Sequence, residues 1–254
     1  MPYKRIPTSD GGRIAALDDM VIEAGNLQPG EINPLEAQMD AITLLRDTFI
    51  SRRLAKSDAL TAQRTATTAK DAARGDLHGL TRQGYNTLYD LVKRGEAPDA
   101  ALPGYGLNIN QRTLPPMSKE DKLERAARNF VAGEDARIAA GGDPLGYPVT
   151  REAVQEKRTA FEDAERELSN KKMAYDDAQA SLEEVRKSAT LQIRRSWSDL
   201  DRAYTYQGLS KPSVRRKLRE WGVKYVFRPG ETLDDEEGET VDLPPQEEPG
   251  GEGQ

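Results

Sequence analysis

Few residues of this chain could carry chemistry, and their spacing forms no catalytic or metal-binding motif. The single histidine, His78, lies between Leu77 and Gly79 in a stretch that favours helix, where an imidazole is more often a surface or packing residue than a base. Asp163 and Glu167 stand at i, i+4 spacing among basic neighbours, which is typical of solvated helix faces. No histidine pair, calcium loop, glycine-rich nucleotide motif or cysteine occurs. We therefore predict no catalytic residue, no metal ligand, no cofactor and no enzyme activity.

A cationic segment near the C-terminus, residues 211–228, is the best candidate for a binding site. Trp221, Tyr225 and Phe227 lie among or after its basic residues, and such combinations bind phosphate backbones and stack bases. The alternative is structural, because Val214, Leu218 and Trp221 share one helix face that would pack on a neighbour. The basic face would then meet acidic helices or the acidic tail. The candidate contacts are Lys211, Arg215, Arg216, Lys217 and Arg219, with Lys224 and Arg228 in the same segment.

The net charge of −6 conceals a division between a basic body and an acidic tail. Residues 231–254 contain ten of the 43 acidic side chains and none of the 37 basic ones. The body, residues 1–230, therefore carries 37 basic against 33 acidic side chains, a net charge of +4. The tail is rich in Glu, Pro and Gly, with too little apolar surface to offset the entropy of ordering. We expect it to be disordered and to act as a solubilising or screening segment.

The element that organises the chain is a stretch without glycine or proline, residues 150–207. One helix of that length would span roughly 87 Å, so it needs a partner along its length. Its apolar residues recur in steps of three and four, with Lys171 as one polar interruption, and a stutter follows Ala189. This pattern indicates either a coiled-coil seam or an amphipathic helix in an ordinary bundle. The seam residues are Phe161, Ala164, Leu168, Tyr175, Ala178, Leu182, Val185, Ala189, Ile193, Trp197, Leu200 and Tyr204.

A second long helix is predicted over residues 34–94. Its middle carries an alanine-lined seam, which allows another helix to approach closely. Gly75, Gly79 and Gly84 each weaken this helix by about 1 kcal/mol relative to alanine. They predict a bend or a tight helix crossing, with a break into two helices as the competing interpretation. The seam residues are Ala55, Ala59, Ala62, Ala66, Ala69, Ala73, Leu77 and Leu80.

Shorter elements flank the two long helices. A first helix is predicted over residues 12–24, capped by Ser9 or Asp10. Another begins after Ser118, with Asp121 in a capping arrangement, and continues to residue 140. A short helix over residues 212–221 ends at Gly222 as its C-cap. Strand candidates are residues 107–113 and 223–227.

The order of these elements repeats when the chain is shifted by 112 residues. Residues 39–92 then align without a gap to residues 151–204, with nine identities in 54 pairs, among them Phe49 with Phe161 and Leu88 with Leu200. This alignment predicts two tandem helical modules, residues 1–116 and 117–230. Two such modules would place the long helices antiparallel, so the Trp197 end of one should lie near the start of the other.

A short alanine-rich run, Thr65 to Arg74, carries a resemblance to known proteins. With its KDAAR segment, from Lys70 to Arg74, it resembles an uncharacterised group of bacterial helical proteins. In that group an alanine-rich helix precedes a proline-rich extended stretch. The second copy departs from the motif at residues 182–186, which read LEEVR. The resemblance implies a helical fold and no particular activity.

These observations predict an all-α fold, an elongated helical bundle or coiled coil of two tandem short-helix, long-helix modules. Each module ends in a short extended or strand segment, and a disordered acidic tail follows at 231–254. The predicted function is a non-enzymatic structural or assembly protein that associates with itself or joins a larger particle. The alternative is a nucleic-acid-associated protein that uses segment 211–228, modulated by the tail. Residues 1–10 lack an apolar signal-peptide core, so we expect cytoplasmic synthesis. No apolar run approaches 18 residues, so we expect no membrane insertion.

Overall fold

A computed structural model describes residues 3–109 and 113–226 of the chain. The predicted all-α class is confirmed, and the only paired strands of the described part are two residues each. The predicted tail, residues 231–254, lies outside the described residues. None of the described helices is both apolar and long enough to cross a membrane. The elements are α1 (Asp10–Asn26), α2 (Met39–Arg94), α3 (Glu120–Ala139), α4 (Arg151–Tyr206), α5 (Lys211–Glu220), β1 (Tyr3–Lys4) and β2 (Tyr225–Val226).

Side-chain caps start three of the helices. Ser9 caps α1, because its hydroxyl accepts a hydrogen bond from the Gly12 N–H at 3.1 Å. Thr150 does the same for α4, with the Ala153 N–H at 3.1 Å, and Ser210 caps α5. These hydroxyls satisfy amides that have no partner within the first turn. The choice between Ser9 and Asp10 is therefore settled in favour of Ser9.

Helix α2 is continuous from Met39 to Arg94, so the competing interpretation of a break at its glycines is wrong. Its start is also five residues later than predicted. Asn33 forms the preceding turn, since its side chain accepts from the Leu35 N–H at 2.9 Å and its carbonyl from the Glu36 N–H at 3.3 Å. A 3-10 turn, Glu36–Gln38, then leads into the α-helix. The turn at Asn33 delays the α-helical register that Pro34 would otherwise begin.

One further sequence prediction, the cap of α3, is corrected, and the two strand candidates have different outcomes. The capping arrangement of Ser118 with Asp121 does not form: Lys119 is the N-cap of α3 and makes no side-chain cap bond. The Ser118 carbonyl instead accepts a hydrogen bond from Arg74 at 2.9 Å. Of the first strand candidate, residues 107–113, Asn108 forms a β-bridge, and residues 110–112 lie outside the described residues. The second strand candidate is present as Tyr225–Val226 and pairs antiparallel with Tyr3–Lys4.

The chain forms two compact units, and the first comprises residues 1–55 and 179–254. Within its described part, the start of α2 lies beside the end of α4. Gln38 bonds Asp199 at 2.9 Å and Gln192 at 2.9 Å, which places the start of α2 beside the Trp197 region, as the repeat predicted. Helices α1 and α5 complete this core, whose largest fully buried side chains are Trp197, Trp221, Phe49, Leu17, Met20, Leu35 and Ile42.

The second unit comprises residues 56–178. Here the remainder of α2 runs antiparallel to the first part of α4. Lys56 lies over the Tyr175 ring at 5.8 Å, and further along α2 Asp76 pairs with Lys157 at 2.9 Å. Helix α3 and the 3-10 segment Asp99–Tyr105 cover one end of this pair. The largest fully buried side chains of its core are Tyr85, Tyr105, Phe130, Phe161 and Leu77.

The internal repeat is visible in the helices themselves. Helices α2 and α4 each contain 56 residues, and both ends of α4 lie 112 positions after those of α2. Equivalent positions are buried in both helices. The predicted modules 1–116 and 117–230 follow this repeat, whereas each compact unit combines parts of both modules. The equivalent buried pairs are Ile42 with Val154, Phe49 with Phe161, Tyr85 with Trp197, Leu88 with Leu200 and Val92 with Tyr204.

The turns that follow the short elements also correspond. Gly106 and Gly222 adopt left-handed backbone angles, with φ of 74° and 78°. In each turn the next residue closes the same backbone bond, Leu107 N–H to Leu102 at 3.1 Å and Val223 N–H to Leu218 at 3.0 Å. Such glycine-dependent turns end helices in a fixed direction. The two units therefore share both their buried pattern and their terminating turn.

Candidate functional site

The cationic helix α5 has one apolar face, and that face is packed. Val214, Leu218 and Trp221 are buried in the core of the first unit. The Trp221 indole N–H donates to the Tyr204 hydroxyl at 2.8 Å, which fixes the end of α5 against α4. The structural interpretation of this face is therefore confirmed, and the basic residues are carried on the remaining surface of the helix.

Strands β1 and β2 place a lysine from the N-terminal segment, Lys4, beside α5. In their antiparallel register Lys4 lies opposite Tyr225. The Lys4 ammonium donates to the Trp197 carbonyl at 3.1 Å and to the Asp201 carboxylate at 2.8 Å. The two strands thus bring the N-terminal segment to the side of α5 where Tyr225 lies.

A cleft of about 300 Å³ opens between these elements, and we name it the cationic cleft. Two of the five predicted contact residues, Lys211 and Arg215, line it. Its walls combine three cations, one carboxylate, one phenol and aliphatic side chains, so positive charge exceeds negative charge in its lining. The lining residues are Lys4, Asp201, Thr205, Leu209, Lys211, Val214, Arg215 and Tyr225.

The five predicted cations do not share one face. Lys211, Arg215 and Arg219 follow each other at i, i+4 spacing and form what we call the cationic stripe, which runs along the side of α5 that faces Tyr225. Arg216 is exposed and lies outside the stripe, about 100° around the helix from Arg215. Lys217 pairs with Glu220 at 3.0 Å, and this hydrogen bond raises the pKa of Lys217. Only three of the five therefore contribute to one surface.

The cationic stripe has an excess of positive charge. Within the described part of the chain, no ion pair neutralises Lys211, Arg215 or Arg219. The nearby carboxylates are already engaged, Asp201 by Lys4 and Glu220 by Lys217. Burial raises the pKa of Tyr225 to about 12, aided by the charge of Asp201 and opposed by the arginines. Tyr225 is therefore a neutral hydrogen-bond donor at the cleft wall.

A neighbouring groove extends this surface. It shares Asp201 and Thr205 with the cationic cleft and adds Arg202 and Tyr206. The Tyr206 side chain is 89% exposed. Sequence reasoning missed Lys4, Asp201 and Tyr206, because they lie far from α5 in sequence and carry no local motif. Lys224 lies just before β2, while Phe227 and Arg228 lie outside the described residues.

The buried pair of Glu134 with Arg137 in the second unit is a structural element rather than a site. Glu134 is fully buried and accepts bonds from the Tyr105 hydroxyl at 2.5 Å, the Arg137 guanidinium at 2.7 Å and the Leu145 N–H at 2.8 Å. Every partner is a group of the fold, so no polar atom remains to meet a ligand. His78 is only half-buried, and residues 3–109 and 113–226 contain no group of three metal-ligating side chains.

Comparison with known proteins gives no assignment for this site. No family model, curated protein or solved structure matches the chain. The resemblance to alanine-rich bacterial helical proteins that rests on Lys70 to Arg74 therefore stays a prediction.

Proposed function

We propose that this protein is a non-enzymatic structural or assembly protein whose long helices bind further copies of the chain. The observation that carries the proposal is the small number of buried residues where α2 and α4 lie side by side in the second unit. Over residues 56–76 of α2 and 157–178 of α4, only Ala66, Phe161 and Leu168 are buried. Long helices in proteins are stabilised mainly by packing one apolar face. A helix pair with so few buried residues leaves a face that another helix can cover.

An open groove marks that face. It has a volume of about 550 Å³ and is walled mostly by small side chains of α2, which allow close helix approach. The polar interruption predicted at Lys171 lies at its edge, paired with Glu167 at 3.0 Å. Met173, 57% exposed, belongs to the same part of α4. The groove residues are Asp58, Thr61, Ala62, Thr65, Ala66, Ala69, Glu167 and Lys171.

The proposal is tested by the mass of the protein in solution. Light scattering with size-exclusion chromatography should show species larger than the 28.1 kDa monomer as concentration rises. The Ala69→Glu variant places a charge in the groove and should shift the protein to monomer. Ala72→Glu makes the same change at an exposed position of α2 that does not line the groove, and it should associate as the unmodified chain does. A chain that stays monomeric at every concentration contradicts the proposal.

A second function is favoured by a separate observation, the unneutralised cationic stripe beside Tyr225 and the exposed Tyr206. Cations track a phosphate backbone and aromatic rings stack bases. We propose nucleic-acid binding at this surface as the alternative function, modulated by the acidic tail. Binding of a single-stranded oligonucleotide is measured for the full chain and for a chain ending at Gly230 over a salt series. Affinity should fall as salt rises. Absence of binding by both forms at low salt excludes this function.

A further inference from the structure

The cationic stripe has no acidic partner among the described residues, but an acidic segment follows it closely in the sequence. Lys211 and Arg215 line the cationic cleft and Arg219 continues the stripe, and no described carboxylate pairs with them. Arg215 is half-buried. A partly desolvated guanidinium without a counter-ion is costly, and a carboxylate that bonds it in the planar geometry of the group recovers that cost. The stripe is therefore a surface built for an anion.

The chain itself supplies carboxylates within reach of this surface. Strand β2 ends at Val226, and its Tyr225 is part of the cleft wall. Residues 231–237 contain five carboxylates, Glu231, Asp234, Asp235, Glu236 and Glu237, and no cation. At about 3.3–3.6 Å per extended residue, Glu231 reaches at most about 18 Å from Val226. The stripe from Lys211 to Arg219 is about 12 Å long, so the segment can follow its whole length.

We infer that the acidic segment, residues 231–237, binds the cationic stripe of its own chain. The tether favours this contact over any free acidic peptide, since a short linker gives an effective concentration in the millimolar range. The contact joins exposed charges across a cleft, so salt screens it strongly. Its consequence is competition: an external anion must displace the segment before it reaches Lys211 or Arg215. The inference does not depend on self-association through the α2 groove, and it supplies the physical basis for the modulation by the tail that the alternative function proposes.

The absence of cysteine allows a direct test. A nitroxide label on Leu233→Cys in the full chain should broaden the amide signals of residues 211–219 and 225 in low salt. The broadening should disappear at high salt and in the triple variant Lys211→Gln, Arg215→Gln, Arg219→Gln. Arg216→Gln removes an exposed cation of α5 that lies outside the stripe and should leave the broadening unchanged.

Two further samples make the test decisive. Neutralising the five carboxylates of residues 231–237 as amides should abolish the broadening, whereas the same change at Glu247, Glu248 and Glu252 should retain it. Chains that carry the nitroxide but no isotope are mixed with isotopically enriched chains that carry no nitroxide. This mixture should give no broadening, because the contact lies within one chain. Broadening in the mixture, its persistence in the triple variant, or its absence from the labelled full chain would each overturn the inference.

Discussion

Arg186 donates two hydrogen bonds to the Asp10 carboxylate, from Nε at 2.7 Å and from Nη2 at 2.6 Å. This bidentate ion pair joins the first turn of α1 to α4 within the first unit. The carboxylate also lies at a helix N-terminus, where the helix dipole favours a negative charge. The hydrogen bonds from Arg186 lower the pKa of Asp10, against a smaller opposing effect of burial.

Asp10→Asn should lower the free energy of unfolding at neutral pH by about 1.5–3 kcal/mol, the usual contribution of a hydrogen bond to a charged group. Because the folded pKa of Asp10 is depressed, this stability is present above its unfolded pKa and is lost as pH falls through the folded value. Urea unfolding of both proteins at pH 7 and pH 3 checks this. The exposed Arg46–Asp47 pair offers a control, since Asp47→Asn should cost less than about 1 kcal/mol. A difference for Asp10→Asn that is the same at both pH values would contradict the role of its charge.

Glu134→Gln should destabilise the second unit by about 3–5 kcal/mol, because it leaves the Arg137 guanidinium buried without its counter-ion. Burial alone would raise the pKa of Glu134, but bonds from Arg137, Tyr105 and the Leu145 N–H outweigh it and lower the pKa. Its contribution is therefore complete above the unfolded pKa and lost as pH falls through the folded one. Denaturation of E134Q is compared with Glu124→Gln, which removes an exposed i, i+4 partner of Arg128. Equal stability of the two variants would show that the buried pair contributes nothing.

The helices were predictable because their signals are local and sustained. Fifty-eight residues without glycine or proline, and apolar steps of three and four, predict α4 almost to its ends. The repeat added the antiparallel pairing of α2 with α4, which the contacts of Lys56 with Tyr175 and of Asp76 with Lys157 show within the second unit. The start of α2 was harder to predict from the sequence. Pro34 favours a helix start at that position, but the hydrogen bonds of Asn33 form a turn there and the α-helix begins later.

The candidate site was predictable only in part. Helical spacing separates the stripe of Lys211, Arg215 and Arg219 from Arg216 and Lys217, because a helix places i and i+4 on one side. The opposite wall was not predictable, since Lys4 reaches Asp201 across nearly two hundred residues. Two-residue strands such as Tyr3–Lys4 have no alternation that a sequence pattern could reveal.

Gly84→Ala and Gly75→Ala, made separately in α2, should have opposite effects. A Cβ at Gly84 would lie 2.6 Å from the Phe130 ring and 2.9 Å from Val149, so the side chains must shift, at a cost of about 1–3 kcal/mol. A Cβ at Gly75 meets nothing within 4 Å, and alanine there should stabilise the helix by roughly 0.5–1 kcal/mol. Thermal and urea unfolding of both variants measures the difference. Destabilisation by both changes would contradict the close helix crossing at Gly84.

Thr81→Val should raise the free energy of unfolding by about 1 kcal/mol. The Thr81 side chain is fully buried, and its hydroxyl has no hydrogen-bond partner among the described residues, so it carries a desolvation cost that valine of the same shape removes. The repeat supports the change, because the equivalent position of α4 is the buried Ile193. Thr87→Val is the matched control in α2: its exposed hydroxyl bonds the Gln83 carbonyl at 3.0 Å, so no gain is expected. Urea unfolding with an unchanged denaturant slope measures both variants, and a loss of stability in T81V would show that the hydroxyl is bonded.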